Sequence, residues 1–476
     1  MTLYVGREAE HDQLRQLLRK HTSSLVICKG RRRIGKSTLV TKFGGEVAHF
    51  LSFEGLAPRE GLSRRDQLAI FAEQLAAQTT LPKVALESWP QAFQLLSSAI
   101  PSRGWTVVLL DEISWMSIGD RDFAGHLKAA WDTYLSRNPR LVLVLCGSVS
   151  SWIDRNILAS PAFMGRCSLI IALEPLALPA CNAFWRGKKV TGIEKLKLLA
   201  VTGGVPRYLE EIDPSQSAEQ NIHRLCFQPS GFLFQEAEQI FHDVFDRRAD
   251  SYRQIVSTLV DGSRTVSAIG TALRNERGGS LSDALVDLVS AGFISRDVSF
   301  IPATGRARPR AIRYRLSDNY LRFYLKYVAP RRSQIEKRLY QRAPLEALVA
   351  WDTIFGLQLE NLVLQSLGSL RAELQLDHVS VLNAGPYDQP ATNRRAGCQI
   401  DLLLRTKHAV YVLEIKLRGK IDRDVIDEVK EKVRRLEGAR AMTVRTGLIF
   451  VGELDRRVGE DDYFDFIVPF ERLLER

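Results

Sequence analysis

Gly30-Arg31-Arg32-Arg33-Ile34-Gly35-Lys36-Ser37 fits the pattern G-x-x-x-x-G-K-[ST]. It follows the apolar run Leu25–Cys28 and leads into the apolar-periodic stretch Ser37–Phe43, with Thr38 in its first turn. A strand, a glycine-rich loop and a helix in that order turn backbone N–H groups and a helix N-terminus toward phosphates. Lys36 would neutralise charge on the β- and γ-phosphates of a nucleotide, and the Ser37 hydroxyl would ligate Mg²⁺. About 75 residues further on, the apolar run Thr106–Leu110 ends in Asp111-Glu112. An Asp at such a strand end holds the Mg²⁺ water shell, and a following Glu can polarise the attacking water. Leu141–Cys146, followed by Gly147-Ser148, offers a polar residue at a third strand tip, where it would sense the γ-phosphate.

A second constellation lies near the other end. Ile400–Leu404 and Ala409–Lys416 are strand-like runs separated by a short turn at Arg405–His408. Alternation along a strand puts Glu414 and Lys416 on one face, and Asp401 starts the partner strand of the hairpin. Two carboxylates so placed can bind one or two Mg²⁺, with Mn²⁺ as a substitute, while the Lys stabilises an attacking hydroxide and the developing phosphate charge. Glu360, in the helical stretch Phe355–Val363, supplies a further acid, and a helix over Val425–Leu436 would pack beside the sheet. The E-x-K spacing on a strand also arises as a plain ion pair.

The elements around these residues follow from the apolar pattern. Runs at Ser24–Cys28, Ala48–Phe53, Thr106–Leu110, Leu141–Cys146 and Ser168–Leu173 are several times apolar on both faces, as buried parallel strands require. Helical patterns such as Asp66–Gln78 and Phe123–Ser136 lie between them, predicting a parallel α/β sheet. Ala177–Phe245 is helical in spacing. Tyr252–Val260, Thr265–Leu273 and Leu281–Ala291 read as three helices, and Phe293–Arg296 with Arg313–Leu316 as a hairpin. Three short helices and a hairpin form a winged helix-turn-helix pattern. It would set Ser280–Ala291 in a DNA major groove and Arg306, Arg308, Arg310 and Arg313 of the wing on phosphates. Such modules also serve as intramolecular clamps.

The ordered motifs Tyr4-Val5-Gly6-Arg7-Glu8, the P-loop, Leu109–Trp115, Cys146-Gly147-Ser148 and Thr202–Tyr208 resemble the archaeal and bacterial AAA-type ATPases close to the STAND NTPases, over roughly residues 1–230. That resemblance implies ATP as the nucleotide, with Gly6, Arg7 and Glu8 near the adenine. It implies Ser148 as the γ-phosphate sensor and Pro206, in a helical lid, packing on the base. Arg166, in Phe163-Met164-Gly165-Arg166, matches a Gly-Arg position that implies an arginine finger or phosphate sensor; an ordinary surface Arg before a strand fits as well. Arg315–Phe323 resembles an element that follows the winged helix in one subgroup of these ATPases. That subgroup carries a C-terminal domain of the restriction-endonuclease-like, PD-(D/E)xK class, though the nominal Pro before Asp401 is Ile400 here.

Length and charge agree with several domains and a polyanionic partner. The 476 residues suffice for about three domains, and 45% hydrophobic with 25% charged residues excludes a disordered chain. The net charge is +11. Between Ile301 and Pro344 stand twelve Lys/Arg and two acids, Asp318 and Glu336, a local net of +10. That is the footprint of a nucleic-acid-binding face, although a solvated basic face gives the same count. The six cysteines are scattered, with no C-x-x-C pair or zinc spacing, and read as reduced thiols. No membrane-length apolar run or signal-peptide pattern is present, so a cytoplasmic location is expected.

The expected fold is therefore α/β throughout. A P-loop AAA-type ATPase core spans 1–174, a helical lid 175–245, a winged helix and basic linker 246–345, and a restriction-endonuclease-like α/β domain 346–476. The expected function is an ATP-hydrolysing protein that binds duplex or branched DNA and cleaves it with Mg²⁺, alone or as a homo-oligomer. The alternative is a nucleotide-operated switch or scaffold whose C-terminal domain does not cut.

Overall fold

A computed structural model of the chain describes residues 4–475 apart from 149, 186, 246, 247, 275–277, 394 and 395. The chain forms two compact units. One comprises Met1–Glu174, Gln239–Asp250 and Val286–Gly292, the other Pro175–Glu238, Ser251–Leu285 and Phe293–Arg476. Among the described residues, no helix is long and apolar enough to cross a membrane.

The first unit is built on a five-stranded sheet of β1 (Ser24–Lys29), β2 (His49–Glu54), β3 (Thr106–Asp111), β4 (Leu141–Gly147) and β5 (Cys167–Ala172). All pairings are parallel, in the order β2-β3-β4-β1-β5. The central strands are buried nearly end to end, which explains their uninterrupted apolar runs. Alternate residues serve two cores. Leu25, Ile27, Val108, Leu110, Leu143 and Leu145 face an aromatic cluster around Phe71, Trp89 and Phe123. Val26, Cys28, Val107, Val142 and Cys146 face Leu39 and Phe43 of the helix Lys36–Gly44.

The edge strand β2 is closed by side chains. Gln78 accepts from the Ser52 N–H and donates to the Ser52 carbonyl, both at 2.8 Å. Gln74 does the same for Glu54 at 3.0 and 3.2 Å, and Gln67 for Leu56 at 2.9 and 3.0 Å. All three glutamines stand on one helix, Arg64–Gln78, whose amides replace the strand that an open edge would recruit.

The helices Val266–Ala272 and Gly278–Ser290 precede in sequence the antiparallel pair of the second unit, β6 (Ile294–Phe300) and β7 (Ala307–Leu316). Thr265 caps the first of these helices, and Arg264 bridges to Tyr314 of β7. The C-terminal part holds a mixed sheet of β8 (Asn383–Gln389), β9 (Cys398–Arg405), β10 (Ala409–Ile421), β11 (Thr443–Leu454) and β12 (Phe466–Pro469), adjacent in that order. The pairs β8–β9 and β9–β10 are antiparallel, and β10, β11 and β12 run parallel. The helix Trp351–Gln365 precedes it in sequence, and Asp424–Arg435 lies between β10 and β11.

The hairpin β6–β7 is longer than the sequence reading and is not a free wing. Phe300 joins the core of Tyr387, Ile400 and Leu403. Arg405 donates to the Pro302 carbonyl at 2.7 Å, and Ser299 Oγ accepts the Asp388 N–H at 2.9 Å. Apolar alternation in a hairpin cannot show which neighbour its buried face will meet, so the sequence alone left the tip in solvent.

Candidate functional site

The P-loop joins β1 to the helix Lys36–Gly44. Gly30 passes so close to the chain after β5 that a Cβ there would lie 2.5 Å from the Leu173 carbonyl oxygen. Gly35, at φ 90°, turns the loop into the helix. Lys36 is 5% exposed and curls back over the loop. Its ammonium donates to the Gly30 and Arg31 carbonyls, both at 3.0 Å, and to Ser148 Oγ at 2.9 Å. Ser148 Oγ donates in turn to Glu112 Oε1 at 2.6 Å, and its N–H to Oε2 at 3.1 Å. The sheet order explains this chain of contacts, because β4 stands between β1 and β3 and delivers Ser148 between the P-loop and the Asp111-Glu112 tip.

Ser37 Oγ lies 2.5 Å from Asp111 Oδ2, so the two residues expected to hold Mg²⁺ are neighbours. Burial pushes the Asp111 carboxyl up, against the Ser37 hydrogen bond that lowers it. Glu112 sits at φ 46°, a strained conformation for a residue with a side chain and one often kept at functional sites. Glu54, at the tip of β2, is raised by burial and by repulsion from Asp111 and Glu112. Asp111 beside the Ser37 hydroxyl, with Glu112 next to it in sequence, offers oxygen ligands of the kind a divalent cation takes, and the cation's charge would offset the burial of Asp111.

Other residues of the nucleotide reading fall in different places. Arg7 is buried and donates to the Ile34 carbonyl at 3.2 Å and the Glu174 carbonyl at 2.6 Å, so it braces the P-loop backbone. Gly6 at φ 66° donates its N–H to Glu8 Oε1 at 3.3 Å, closing the turn before that helix. Arg31 is buried, Arg32 and Arg33 are half-buried, and Arg33 adopts φ 70°. Ile34 is fully buried, and Thr38 lies on the exposed side of the helix. Pro206 opens the short helix Pro206–Leu209 of the second unit.

Arg166 does not join the phosphate side of the first unit. It precedes β5, where Cys167 pairs with Leu25 at the start of β1, whereas the P-loop follows the end of β1. Its guanidinium grips Asp132 at 2.7 and 2.8 Å and holds that carboxyl down at about 2. Within its own chain it is an ion-paired surface residue. The Gly-Arg pattern could not show which end of the sheet it would occupy.

The C-terminal acids do come together. Glu360, Asp401, Glu414, Lys416 and Gln399 line one cavity of about 420 Å³ with Lys432 and Arg435. The register Leu413↔Leu402 continues to Glu414 opposite Asp401, but the strands part there and Asp401 Oδ2 accepts the Ile415 N–H at 2.8 Å. Burial drives the Asp401 carboxyl up to about 8, with added repulsion from Glu414 and Glu360. Glu360 is likewise raised by burial, against the opposing pull of Arg315 and Arg322. Glu414, 2% exposed, is held by Lys416 at 2.9 Å and Lys432 at 2.5 Å. Among the described residues, no three His, Cys, Asp or Glu are grouped so as to hold a metal ion between them as they stand. The donor set nevertheless offers a hard cation oxygen ligands, two of which, Asp401 and Glu360, are raised by burial.

Glu360 is positioned by the element Arg315–Phe323. Gln358 donates to the Asn319 carbonyl at 2.7 Å, Asn361 to the Leu316 carbonyl at 3.0 Å, and Gln365 to the Ser317 carbonyl at 3.0 Å. Arg322, with no exposed surface, donates to the Val260 carbonyl at 2.8 Å and the Leu316 carbonyl at 2.5 Å. The motif is thus a polar bracket for the helix that carries the acid.

The basic segment is largely spent inside the second unit. Arg308 pairs with Glu437, and Arg313 reaches Ser263 at 2.9 Å and Asp388 at 3.4 Å. Arg315 pairs with Asp297 at 3.0 Å, Lys326 with Asp261 at 2.6 Å and Arg332 with Glu238 at 3.2 Å. Arg308 and Arg313 therefore do not stand at a free wing tip, because acids more than 70 residues away in sequence meet them. Arg306, Lys337, Arg338 and Arg342 are exposed. The Arg310 side chain lies outside the described residues.

Sequence reasoning missed Lys432, Glu428 and Glu54. Helix spacing was legible for the first two, but nothing in the sequence said which face of Asp424–Arg435 meets the sheet.

No family model matches the chain. An uncharacterized protein of Methanocaldococcus jannaschii is 24% identical over 434 residues, 89% of each chain. Among solved structures, the Walker-type ATPase of Pyrococcus abyssi covers 67% of this chain and 95% of its own, at 17% identity and a TM-score of 0.47. The ORC2 protein of Aeropyrum pernix, solved in ADPNP–ADP complexes, covers 70% and 94% at 14% identity and a TM-score of 0.40. The ORC1 protein of the same organism, solved with DNA, covers 71% and 96% at 14% identity and a TM-score of 0.33.

Proposed function

We propose that this chain is an ATP-hydrolysing, DNA-binding protein whose C-terminal domain cleaves phosphodiester bonds with a divalent cation. The observation that carries the reading is that acids and a lysine gather at two separate places, one beside the P-loop and one in the C-terminal cavity. One joins Lys36, Ser37, Asp111, Glu112 and Ser148. The other joins Glu360, Asp401, Glu414 and Lys416.

At the first site, Lys36 would leave its carbonyl partners for the β- and γ-phosphates, and Ser148 would pass from Lys36 to the γ-phosphate. Ser37 and Asp111 would hold Mg²⁺, which supplies charge neutralisation between the phosphates. Glu112, released from Ser148, would orient the attacking water. Gly6, Arg7 and Glu8 would shape the rim near the base. Pro206 belongs to this reading only as the resemblance implies it.

At the second site, Asp401, Glu414 and Glu360 would hold Mg²⁺ or Mn²⁺, which would supply Lewis acidity toward the phosphate. Water adds to phosphorus, the bond to the leaving oxygen breaks, and that oxygen takes up a proton as the water gives one up. A lysine of the cavity stabilises the extra negative charge. The exposed Arg306, Lys337, Arg338 and Arg342 are the cations available to hold the flanking DNA backbone.

One observation favours the alternative of a non-cleaving, nucleotide-operated switch: both oxygens of Glu414 are already taken by lysines. The test is a cleavage assay on single-stranded, duplex and forked DNA with Mg²⁺ or Mn²⁺, with and without ATP. Divalent-dependent cutting supports the nuclease; retained DNA affinity without cutting under any condition selects the switch.

A further inference from the structure

We infer that Lys432, on the helix Asp424–Arg435, is the residue that binds the phosphate being cleaved at the Asp401 site, and that Lys416 of the E-x-K motif ties that helix to the sheet. This rests on the nuclease reading above.

The two lysines are not equivalent. Lys416 Nζ stands 2.9 Å from Glu414 Oε1 and 2.5 Å from Glu428 Oε2. The other oxygen of Glu428 is taken by Arg418 at 2.9 Å. Lys416 is therefore the middle of a chain from Arg418 through Glu428 to Glu414, which fastens β10 to the helix. Lys432 stands one turn beyond Glu428 on the same helix face. Its Nζ meets Glu414 Oε2 at 2.5 Å, the one ion pair it makes among the described contacts. Both lysines line the cavity, with Arg435 one further turn along.

Glu414 has two oxygens and each holds a lysine. A divalent cation held by Asp401 and Glu414 would compete with these lysines for the charge of Glu414. Displacing Lys416 from Glu414 leaves it still paired with Glu428. Displacing Lys432 would free an ammonium on a flexible stem in the cavity that Asp401 also lines, where it would meet a phosphate bound there. Lys432 is thus a neutralising partner of Glu414 in the resting protein and a phosphate ligand in the loaded one. The spacing of the strand motif points to Lys416; the helix pairing hands the role to Lys432.

The test uses the full chain with Lys432→Met, Lys432→Arg and Lys416→Met. Mn²⁺ binding without DNA is followed by calorimetry, and cleavage of the best substrate is followed in parallel. Lys432→Met should lower cleavage roughly 100-fold or more, as loss of one transition-state donor does. It should bind Mn²⁺ as tightly as the parent or tighter, because a competitor for Glu414 is gone. Lys432→Arg should recover part of the rate. Lys416→Met should lower the thermal midpoint, a loss Lys432→Met should not share. If the parent cuts and Lys432→Met cuts within about threefold of it, the assignment falls and the nuclease stands. If Lys432→Met weakens Mn²⁺ binding about tenfold or more, Lys432 merely holds Glu414 in place and the assignment also falls. If the parent cuts nothing with either metal, the nuclease reading falls and takes this assignment with it.

Discussion

Asp401 Oδ2 accepts the backbone N–H of Ile415 at 2.8 Å, one residue past the acid of the E-x-K pair it is expected to join. That bond favours the carboxylate, yet burial and the nearby Glu414 and Glu360 outweigh it and hold the carboxyl up at about 8. The first consequence of this raised carboxyl is a pH dependence.

An unfolded Asp ionises near about 3.9. Between there and about 8, the unfolded chain has lost a proton that the folded chain keeps at Asp401, so this group lowers stability as pH rises through that window. Asp401→Asn removes the effect. Its thermal midpoint should exceed that of the parent by several degrees at pH 8 and match it near pH 4, by calorimetry at both values. Saturating Mn²⁺ should raise the midpoint of the parent and leave the variant unmoved. An equal shift at both pH values contradicts the raised carboxyl.

The P-loop contacts separate binding from turnover. Lys36→Ala removes the ammonium that links the loop to Ser148 and should abolish ATP hydrolysis. Glu112→Gln still accepts the Ser148 N–H through its amide oxygen, with its NH2 turned to donate to Ser148 Oγ, but loses the charge that polarises water. It should bind nucleotide normally and turn over roughly 100-fold more slowly. Nucleotide affinity by fluorescence and phosphate release together decide the case.

The glutamines along β2 are a structural prediction. Gln78→Leu removes two hydrogen bonds to Ser52 at an exposed edge, at a cost of about 1–2 kcal/mol. It also opens a strand edge, so the variant should self-associate on heating while keeping its nucleotide affinity. Urea unfolding and light scattering read both effects.

Neutralising the exposed cations should weaken DNA binding in a salt-dependent way. Lys337, Arg338 and Arg342 changed together to Ala should cut the slope of log affinity against log salt by up to about 2.7, close to 0.9 per phosphate contact. Arg308→Ala and Arg313→Ala should change that slope little and lower the thermal midpoint instead, since both are spent on Glu437 and Asp388.

The parallel sheet was legible because strands buried on both faces write continuous apolar runs; Val107–Leu110 and Leu141–Cys146 lie in β3 and β4 as the sequence indicates. Glu414 and Lys416 were legible as a pair because strand alternation fixes their common face. What stayed hidden was long-range pairing. A count of charges between Ile301 and Pro344 does not know that Asp297, Asp388 and Glu437 will neutralise three of the arginines. Helix periodicity placed Lys432 and Glu428 on one face without saying that β10 lies under it.

The most direct measurement is divalent-dependent cleavage of labelled forked and duplex DNA by the parent and by Asp401→Asn, with DNA affinity measured alongside in Ca²⁺. The account predicts cutting by the parent with Mg²⁺ or Mn²⁺, none by the variant, and equal DNA affinity. Absence of cutting by the parent, or cutting that survives the substitution, would contradict it.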